Sequence, residues 1–379
     1  MKKMFFASFL FFLSFEFFAE PINFQSYNFI IDLPEGFYLA DSNQKDRYLF
    51  SSTILPCELQ ISFDVKSRFK TIKNAAESIF SQLKAGHKEI EFFWCEKKAL
   101  FSTMDFGQNF EYTGSVLVLE LKDVWLTLTA YSKASDATLC EPMLISAFDS
   151  VFTTSGSFYV PGPITSCLFK RETNVAKTIN FHDESLNFFV DKLDAQANKS
   201  VIDREFKLLT HYLNTQYVIS AWERYYRNIF RDAWQRLESF SFAVKNYLYS
   251  KNLLADKIAV SKTLMSYTQK FTYHRDPQGS DFVNLVSAVE DGIGDCDTRS
   301  LLLNIVLAQL GIKSVSFISP EFSHAICGIA VDGKGAKFLY AGENYLLAET
   351  TAKVGLGQIA ADHADSSKWF AVEFYNLPK

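Results

Sequence analysis

Alternating apolar and polar positions dominate the first part of the chain, from Phe24 to about Phe152. Residues two apart lie on the same face of a strand, so this pattern predicts β-strands. The segments that show it are 47–54, 58–65, 90–101, 109–121 and 124–132. Apolar residues at helical spacing interrupt it at 72–83 and 141–152. We therefore predict an N-terminal α+β domain with an antiparallel sheet covered by helices.

A linker-type segment with two prolines, Tyr159-Val-Pro-Gly-Pro163, closes this domain. Beyond it, the apolar spacing predicts helices from about 182 to 270. Aromatic residues recur on helical faces between Val201 and Leu248, and packing between helices is a commoner reason for this spacing than ligand stacking. The middle of the chain is therefore predicted to be a helical region.

The last third begins with a glycine-rich turn at 292–295, followed by a helix that ends before Gly311. Its apolar face is formed by Leu301, Leu302, Ile305, Val306 and Leu310. Residues 323–331 then predict a strand, and residues 338–351 predict a hairpin that turns near Gly342. This part of the chain is again α+β.

Cys296 lies in the first turn of this predicted helix, where unpaired N–H groups and the helix dipole favour a thiolate. We therefore expect a reactive thiol with a depressed pKa. His324 begins the following strand and can act as the general base of the thiol. Alternation along that strand turns Cys327 to the opposite face, so Cys327 should be dispensable for chemistry.

Glu349 ends the second strand of the predicted hairpin, where its carboxylate can accept the imidazole N–H of His324 and fix its tautomer. Asp295 and Asp297 are closer to Cys296 in sequence, but helix capping and the dipole already explain them. Each residue alone has a structural explanation: a core cysteine, a histidine at a strand end and a solvated acid. Their order on a helix start and two strands indicates a nucleophile, a base and an orienting acid.

The motifs around Cys296, His324 and Glu349 resemble those of a known superfamily. Residues 264–353 resemble the transglutaminase-like superfamily of papain-type cysteine domains, in particular its exported bacterial branch. The matching motifs are Gly294-Asp295-Cys296-Asp297, His324-Ala325, Glu349-Thr350-Thr351 and the lead-in from Tyr267 to Tyr273. Most of the superfamily has Asp before Pro-Thr where this chain has Glu349, so a longer side chain must be accommodated.

The resemblance implies a cysteine enzyme that cleaves or transfers amide acyl groups through a thioester, with Cys296, His324 and Glu349 as its catalytic residues. The first oxyanion donor is the Cys296 N–H, and Gln269 or Tyr273 is a candidate for the second. Peptidase, amidase or deamidase, and transamidase activity all remain open. The alternative is a catalytically weak fold that serves as a binding or assembly module in the cell envelope. No cofactor is expected.

The N-terminal domain resembles the small α+β domains of the photosystem accessory protein PsbP and of Mog1. It carries no pairing of a nucleophile with a base, so a binding or scaffolding role is expected there. The predicted division of the chain is a signal peptide (1–19), an N-terminal α+β domain (20–158), a helical region (168–255) and a transglutaminase-like domain (256–375).

The N-terminus predicts export. Met1-Lys2-Lys3 is followed by an apolar run from Met4 to Phe15 that is too short to span a bilayer, which takes about 20 residues. Cleavage after Ala19 would place the large Phe17 at the −3 position, so an uncleaved or differently cut N-terminus stays open. We expect a periplasmic or secreted protein without stable membrane insertion after signal cleavage.

The charge of the chain limits the classes of partner that it can bind. The net charge is −5, charged residues make up 21% of the chain, and no dense Lys/Arg block occurs, which excludes nucleic acid as the main partner. The expected partner is a peptide or protein substrate, with the cell envelope as one source. The oligomeric state is left open.

The six cysteines lack metal-site spacing. Four of them could form up to two disulfides, whereas Cys296 must stay free; the four are Cys57, Cys95, Cys140 and Cys167. His182-Asp-Glu184 and Asp362-His363 bring imidazoles and carboxylates together without ligand spacing, so both are interpreted as solvated surface and no metal site is predicted.

Overall fold

The computed structural model of the protein describes residues 21–275 and 279–374. Its N-terminal part contains β1 (Ile22–Phe24), β2 (Phe29–Ile31), β3 (Phe37–Ser42), β4 (Arg47–Ser52), β5 (Cys57–Val65), α1 (Ile72–Leu83), β6 (Gly86–Trp94), β7 (Lys97–Phe106), β8 (Tyr112–Glu120), β9 (Val124–Lys133), α2 (Ala137–Asp149), β10 (Val151–Phe152), α3 (Ser155–Phe158) and α4 (Pro163–Leu168). Strands β3 to β9 form an antiparallel sheet in the order β3-β4-β5-β9-β8-β7-β6.

Helices cover both faces of this sheet. Along β8, Val116 and Val118 pack with α1, whereas Leu117 and Leu119 belong to the larger core that contains α2. Residues 116–119 are a continuous apolar run and not an alternation, as expected for a strand that is buried on both faces. The predicted α+β class is confirmed.

Two N-terminal predictions need correction. The predicted strand 90–101 is a hairpin of β6 and β7, whose turn residues Cys95 and Glu96 both have positive φ. The sequence hides this turn because neither residue is one of the usual turn formers, Gly, Asn or Asp. The predicted helix 141–152 begins earlier, at Ala137, and its last residues form β10, which pairs with β2.

The middle of the chain contains β11 (Asn174–Phe181), β12 (Glu184–Asp191), α5 (Asp194–Thr210), α6 (Val218–Ser250) and α7 (Lys257–Thr268). The prediction of helix from about residue 182 is wrong for 182–191, which form the turn and second strand of a hairpin. Leu186, Phe188 and Val190 alternate into the core, and β12 packs on α6. Their period of two was overlooked beside the strong helical pattern that follows.

The C-terminal part contains α8 (Leu285–Asp291), α9 (Cys296–Gln309), β13 (Ser314–Ser319), β14 (His324–Ile329), β15 (Lys337–Tyr340), β16 (Glu343–Ala348) and β17 (Phe370–Val372). The strands form an antiparallel sheet in the order β15-β16-β14-β13-β17. Helix α9 packs on β13 and β14, and an aromatic cluster that includes Phe317, Phe338 and Trp369 covers the other face.

Helix α6 connects the parts of the molecule. The largest core cluster contains residues of all three predicted domains, whose boundaries stay predictions. Arg224, on α6, is buried and donates to the Asp32 carbonyl at 3.0 Å, the Ser146 hydroxyl at 2.7 Å and the Glu205 carboxylate at 3.0 Å. One guanidinium therefore joins the N-terminal part to α5 and α6.

No helix of the described ranges has the length and apolar character needed to cross a membrane. The predicted signal peptide lies outside the described residues. All six cysteines are free thiols, so neither of the two possible disulfides is present.

Candidate active site

Cys296 is the first residue of α9, and its side chain is buried. Asp295 is the N-cap residue, and its side chain accepts a hydrogen bond from the Thr298 N–H at 2.9 Å. The turn before it requires glycine, because a Cβ on Gly294 would lie 2.8 Å from Thr298 Cγ2. The local sequence therefore fixes the helix start and the position of the thiol.

Arg299 holds three segments of the site together, a role that the sequence analysis missed. This buried guanidinium donates to the carbonyls of Gly294 at 2.9 Å, Phe271 at 3.0 Å and Thr350 at 3.2 Å. These carbonyls belong to the turn before Cys296, to the lead-in and to the Glu349 motif. The only signal in the sequence was an arginine three residues after Cys296, in the first turns of the same helix. Its burial, which makes such partners necessary, is known only from the structure.

His324 and Glu349 form a hydrogen-bonded pair. The ring Nε2 of His324 lies 2.8 Å from Glu349 Oε2, at the ends of β14 and β16. The other carboxylate oxygen accepts from the Thr351 N–H at 2.7 Å and from its hydroxyl at 2.6 Å. Burial acts to raise the pKa of Glu349, but the bonds and charge of His324 and Thr351 outweigh it and lower the pKa to about 2. The predicted contact is present, and Thr351 holds the longer glutamate side chain.

The starts of α9 and β14 are adjacent. The Ser300 hydroxyl donates to the Ala325 carbonyl at 3.2 Å, and the Ala325 N–H interacts with the Cys296 sulfur. Because Nε2 of His324 is used by Glu349, Nδ1 is the ring nitrogen left for proton exchange. Within residues 21–275 and 279–374, Nδ1 takes part in no hydrogen bond.

The predicted depression of the Cys296 pKa is wrong. Burial raises the pKa of this thiol well above its usual range, and the charges of Asp297 and Asp295 raise it further. Asp297 Oδ2 lies 3.6 Å from the sulfur, and its other oxygen accepts a hydrogen bond from the Tyr226 hydroxyl on α6. Burial, followed by the charge of Asp297, raises the pKa of Asp295 to about 7. The helix start favours a thiolate, but desolvation and two carboxylates outweigh it.

Removing the charge of Asp297 should accelerate alkylation of Cys296. Asp297→Asn lowers the thiol pKa, so more thiolate is present at an assay pH below that pKa. Because the lower-pKa thiolate is also less nucleophilic, we expect a net gain of about three- to tenfold in the iodoacetamide rate at pH 7.5. Peptide mass spectrometry would measure this rate. Asp291→Asn is the control, since Asp291 is exposed. An unchanged or slower rate in Asp297→Asn would contradict the electrostatic account.

The two candidate oxyanion donors differ in their surroundings. Both N–H groups of the Gln269 amide are used, since they donate to the carbonyls of Glu349 at 2.8 Å and Val354 at 3.1 Å. Gln269 thus holds the loop after β16, and we do not retain it as an oxyanion donor. The Tyr273 hydroxyl accepts from Arg275 at 3.0 Å, and its own hydrogen stays available to a substrate.

His363 lies beside the site, although the sequence analysis assigned it to solvated surface. Its ring centre is 5.3 Å from that of His324, and it packs on Phe322 and Trp369. Its neighbour Asp362 is exposed as expected. Nothing in the sequence near His363 links it to His324, because the contact joins residues from β14 and from the loop before β17.

Cys327 lies on the face that the alternation predicted. Its buried sulfur is 3.3 Å from Asn304 Oδ1 on α9, whereas Ile326 belongs to the cluster on the other side of the sheet. The His324 ring packs near Trp369 of that second cluster. The opposite orientation of His324 and Cys327 is confirmed.

Comparison with known proteins gives only distant structural similarities. No family model and no curated protein matches the chain. The solution structure of the cyanobacterial PsbP (CyanoP) from Synechocystis is 8% identical with a TM-score of 0.30, and the match covers 36% of this chain and 92% of that chain. A crystal structure from Bacteroides thetaiotaomicron is 10% identical with a TM-score of 0.25, and covers 86% and 87% of the two chains.

A third match, described as a candidate protease from Parabacteroides distasonis, is 9% identical with a TM-score of 0.21 and covers 82% of this chain and 68% of that one. The similarities therefore include a PsbP structure and a candidate protease, while the transglutaminase-like resemblance has no matching family model. At these TM-scores none of them carries an argument about function.

Proposed function

We propose that this protein is an exported thiol enzyme with a transglutaminase-like domain at 256–375. Its chemistry is the transfer or hydrolysis of amide acyl groups through a thioester on Cys296. The observation that carries the proposal is the meeting of three elements: a buried cysteine at a helix N-terminus, the Ala325 N–H against its sulfur, and the adjacent His324–Glu349 pair at 2.8 Å. Periplasmic or secreted location follows from the N-terminal signal pattern.

The raised thiol pKa determines how the reaction begins. At neutral pH the thiol is protonated, so His324 must accept its proton at Nδ1 while the sulfur attacks the amide carbonyl. Glu349 stabilises the resulting imidazolium through Nε2. The tetrahedral intermediate then collapses, its C–N bond breaks, and the leaving amine takes the proton from His324. Water or a second amine resolves the thioester by the reverse sequence.

The developing negative charge on the carbonyl oxygen needs donors in a water-poor site. The Cys296 N–H is one donor, and the Tyr273 hydroxyl, half-exposed at the rim, is the second that we retain. A negative charge on Cys296 would contribute to raising the pKa of both Tyr273 and Arg275, which supports their closeness to the sulfur.

Acylation by an activated ester tests this proposal. We expect p-nitrophenyl acetate to acetylate Cys296 of the wild-type chain, with a burst of nitrophenolate and a mass adduct on its peptide. Cys296→Ser should remove the adduct, and His324→Ala should slow its formation by about 100- to 10,000-fold. Cys327→Ser is the matched control and should react like the wild type.

If the folded wild-type chain forms no adduct on Cys296, the enzymatic proposal fails. The binding-module alternative would then remain, and one observation favours it. A groove of about 850 Å³ lies between the N-terminal sheet, α2, α4 and α5, and none of its lining residues belongs to the thiol site.

A further inference from the structure

Two histidines and a carboxylate converge beside the proposed thiol site. One ligand atom from each of His324, Glu349 and His363 lies within 4.8 Å of the other two. Two imidazoles and one glutamate are the ligand set of many catalytic zinc sites, which complete the tetrahedron with water. We propose that these three residues bind a zinc ion that switches the thiol site off.

The ring positions suit one tetrahedral ion. With Zn–N bonds of about 2.0–2.1 Å, two imidazoles on the same zinc have their ring centres about 5 Å apart. The centres of His324 and His363 are 5.3 Å apart. His324 and Glu349 already approach each other through Nε2 and Oε2, so the ion replaces the proton between these atoms. That proton is released to solvent.

The supporting contacts orient the ligands. Glu349 is fixed by the two bonds from Thr351 to its other oxygen, as is typical of carboxylates that bind a metal. The Trp369 indole N–H donates to the main-chain carbonyl of His363 at 3.1 Å and so fixes the backbone that carries this ring. The buried Nδ1 of His363 finds no partner among the described residues, which leaves a basic nitrogen without a donor.

In the described ranges, two other groups of three potential ligands also have their ligand atoms within 4.8 Å of one another, and both are weaker candidates. Asp295, Cys296 and Asp297 surround a helix N-terminus, whose positive end opposes a cation. Glu77, His87 and Glu89 contain a single imidazole and two exposed or partly exposed acids. Both groups supply control variants.

Zinc bound to Nε2 of His324 would inhibit acyl transfer at Cys296, and this part of the proposal rests on the proposed function. A His324 ring bound to zinc through Nε2 keeps its proton on Nδ1, so it can no longer accept the proton of Cys296. The ion also removes the bond through which Glu349 stabilises the imidazolium. Binding itself does not depend on any chemistry at Cys296.

Competition against a chromophoric chelator measures zinc binding to the full chain. We expect one tight site in the wild type, in His87→Ala and in Cys296→Ser. Both His363→Ala and His363→Gln should bind at least about tenfold more weakly. Wild-type affinity in both His363 variants, or loss of the site in His87→Ala or Cys296→Ser, would overturn the assignment.

The effect on the thiol is measured separately, as the ratio of Cys296 alkylation rates with and without zinc. We expect at least a tenfold decrease on zinc addition in the wild type and none in His363→Ala. An unchanged ratio in zinc-loaded wild type would overturn the inhibitory role. Because the binding measurement uses no acyl substrate, failure of the acylation test leaves it interpretable.

Discussion

Glu349→Gln should slow acylation of Cys296 by about 1,000- to 10,000-fold, as loss of the orienting acid does in hydrolytic triads. The amide keeps the size of the side chain but removes the charge that faces His324 Nε2 at 2.8 Å. The imidazolium formed during attack then loses its partner, and the ring loses the preference that keeps Nδ1 unprotonated. Because the pKa of Glu349 is about 2, the wild-type carboxylate is ionised at any assay pH well above that value.

The nitrophenolate burst measures this effect. Glu343→Gln is the matched control, since Glu343 lies on the same hairpin and pairs with Lys313 at the surface. A loss of less than about tenfold in Glu349→Gln, with normal folding, would show that Glu349 does not act as the orienting acid.

Arg224→Met should destabilise the protein by about 2–3 kcal/mol, because it removes one of the two guanidinium partners of the buried Glu205 and leaves only Arg204. Both side chains of this ion pair are only 2% exposed. The Asp32 carbonyl and the Ser146 hydroxyl also lose a donor. Urea denaturation followed by circular dichroism measures the free energy of unfolding.

Arg227→Met provides the control one helical turn further along α6. Its ion pairs with Asp32 and Glu223 are partly exposed, so the expected loss is at most about 1 kcal/mol. Similar losses in the two variants would mean that the buried network is not what joins α6 to the N-terminal part.

Helix bounds and helix starts that depend on residues close in sequence were predicted correctly. Helix α1 has the predicted bounds, and α9 begins at Cys296 because the glycine turn and the Asp295 cap are encoded within a few positions. The turn at Cys95 and Glu96 was missed because its residue types are unusual for positive φ. The hairpin at 174–191 was missed because its alternation is short and precedes a long helical pattern.

The site illustrates the same limit. The order of Cys296, His324 and Glu349 could be found from motifs, whereas their environment could not. The thiol pKa depends on burial and on Tyr226 holding Asp297, and neither can be inferred from a helix start. His363 approaches His324 only because the C-terminal sheet brings distant loops together.

The three hydrogen bonds of the Arg299 guanidinium, called here the Arg299 clamp, affect when the site forms during synthesis of the chain. Its three carbonyl partners lie 5, 28 and 51 positions away in sequence. The contacts that span 28 and 51 positions form late, because much chain must be ordered before they are made. A polypeptide that emerges N-terminus first therefore has Cys296 long before it has Glu349, Thr350 and the closed clamp. Until its last hairpin is released, the nascent chain carries a thiol without its oriented base.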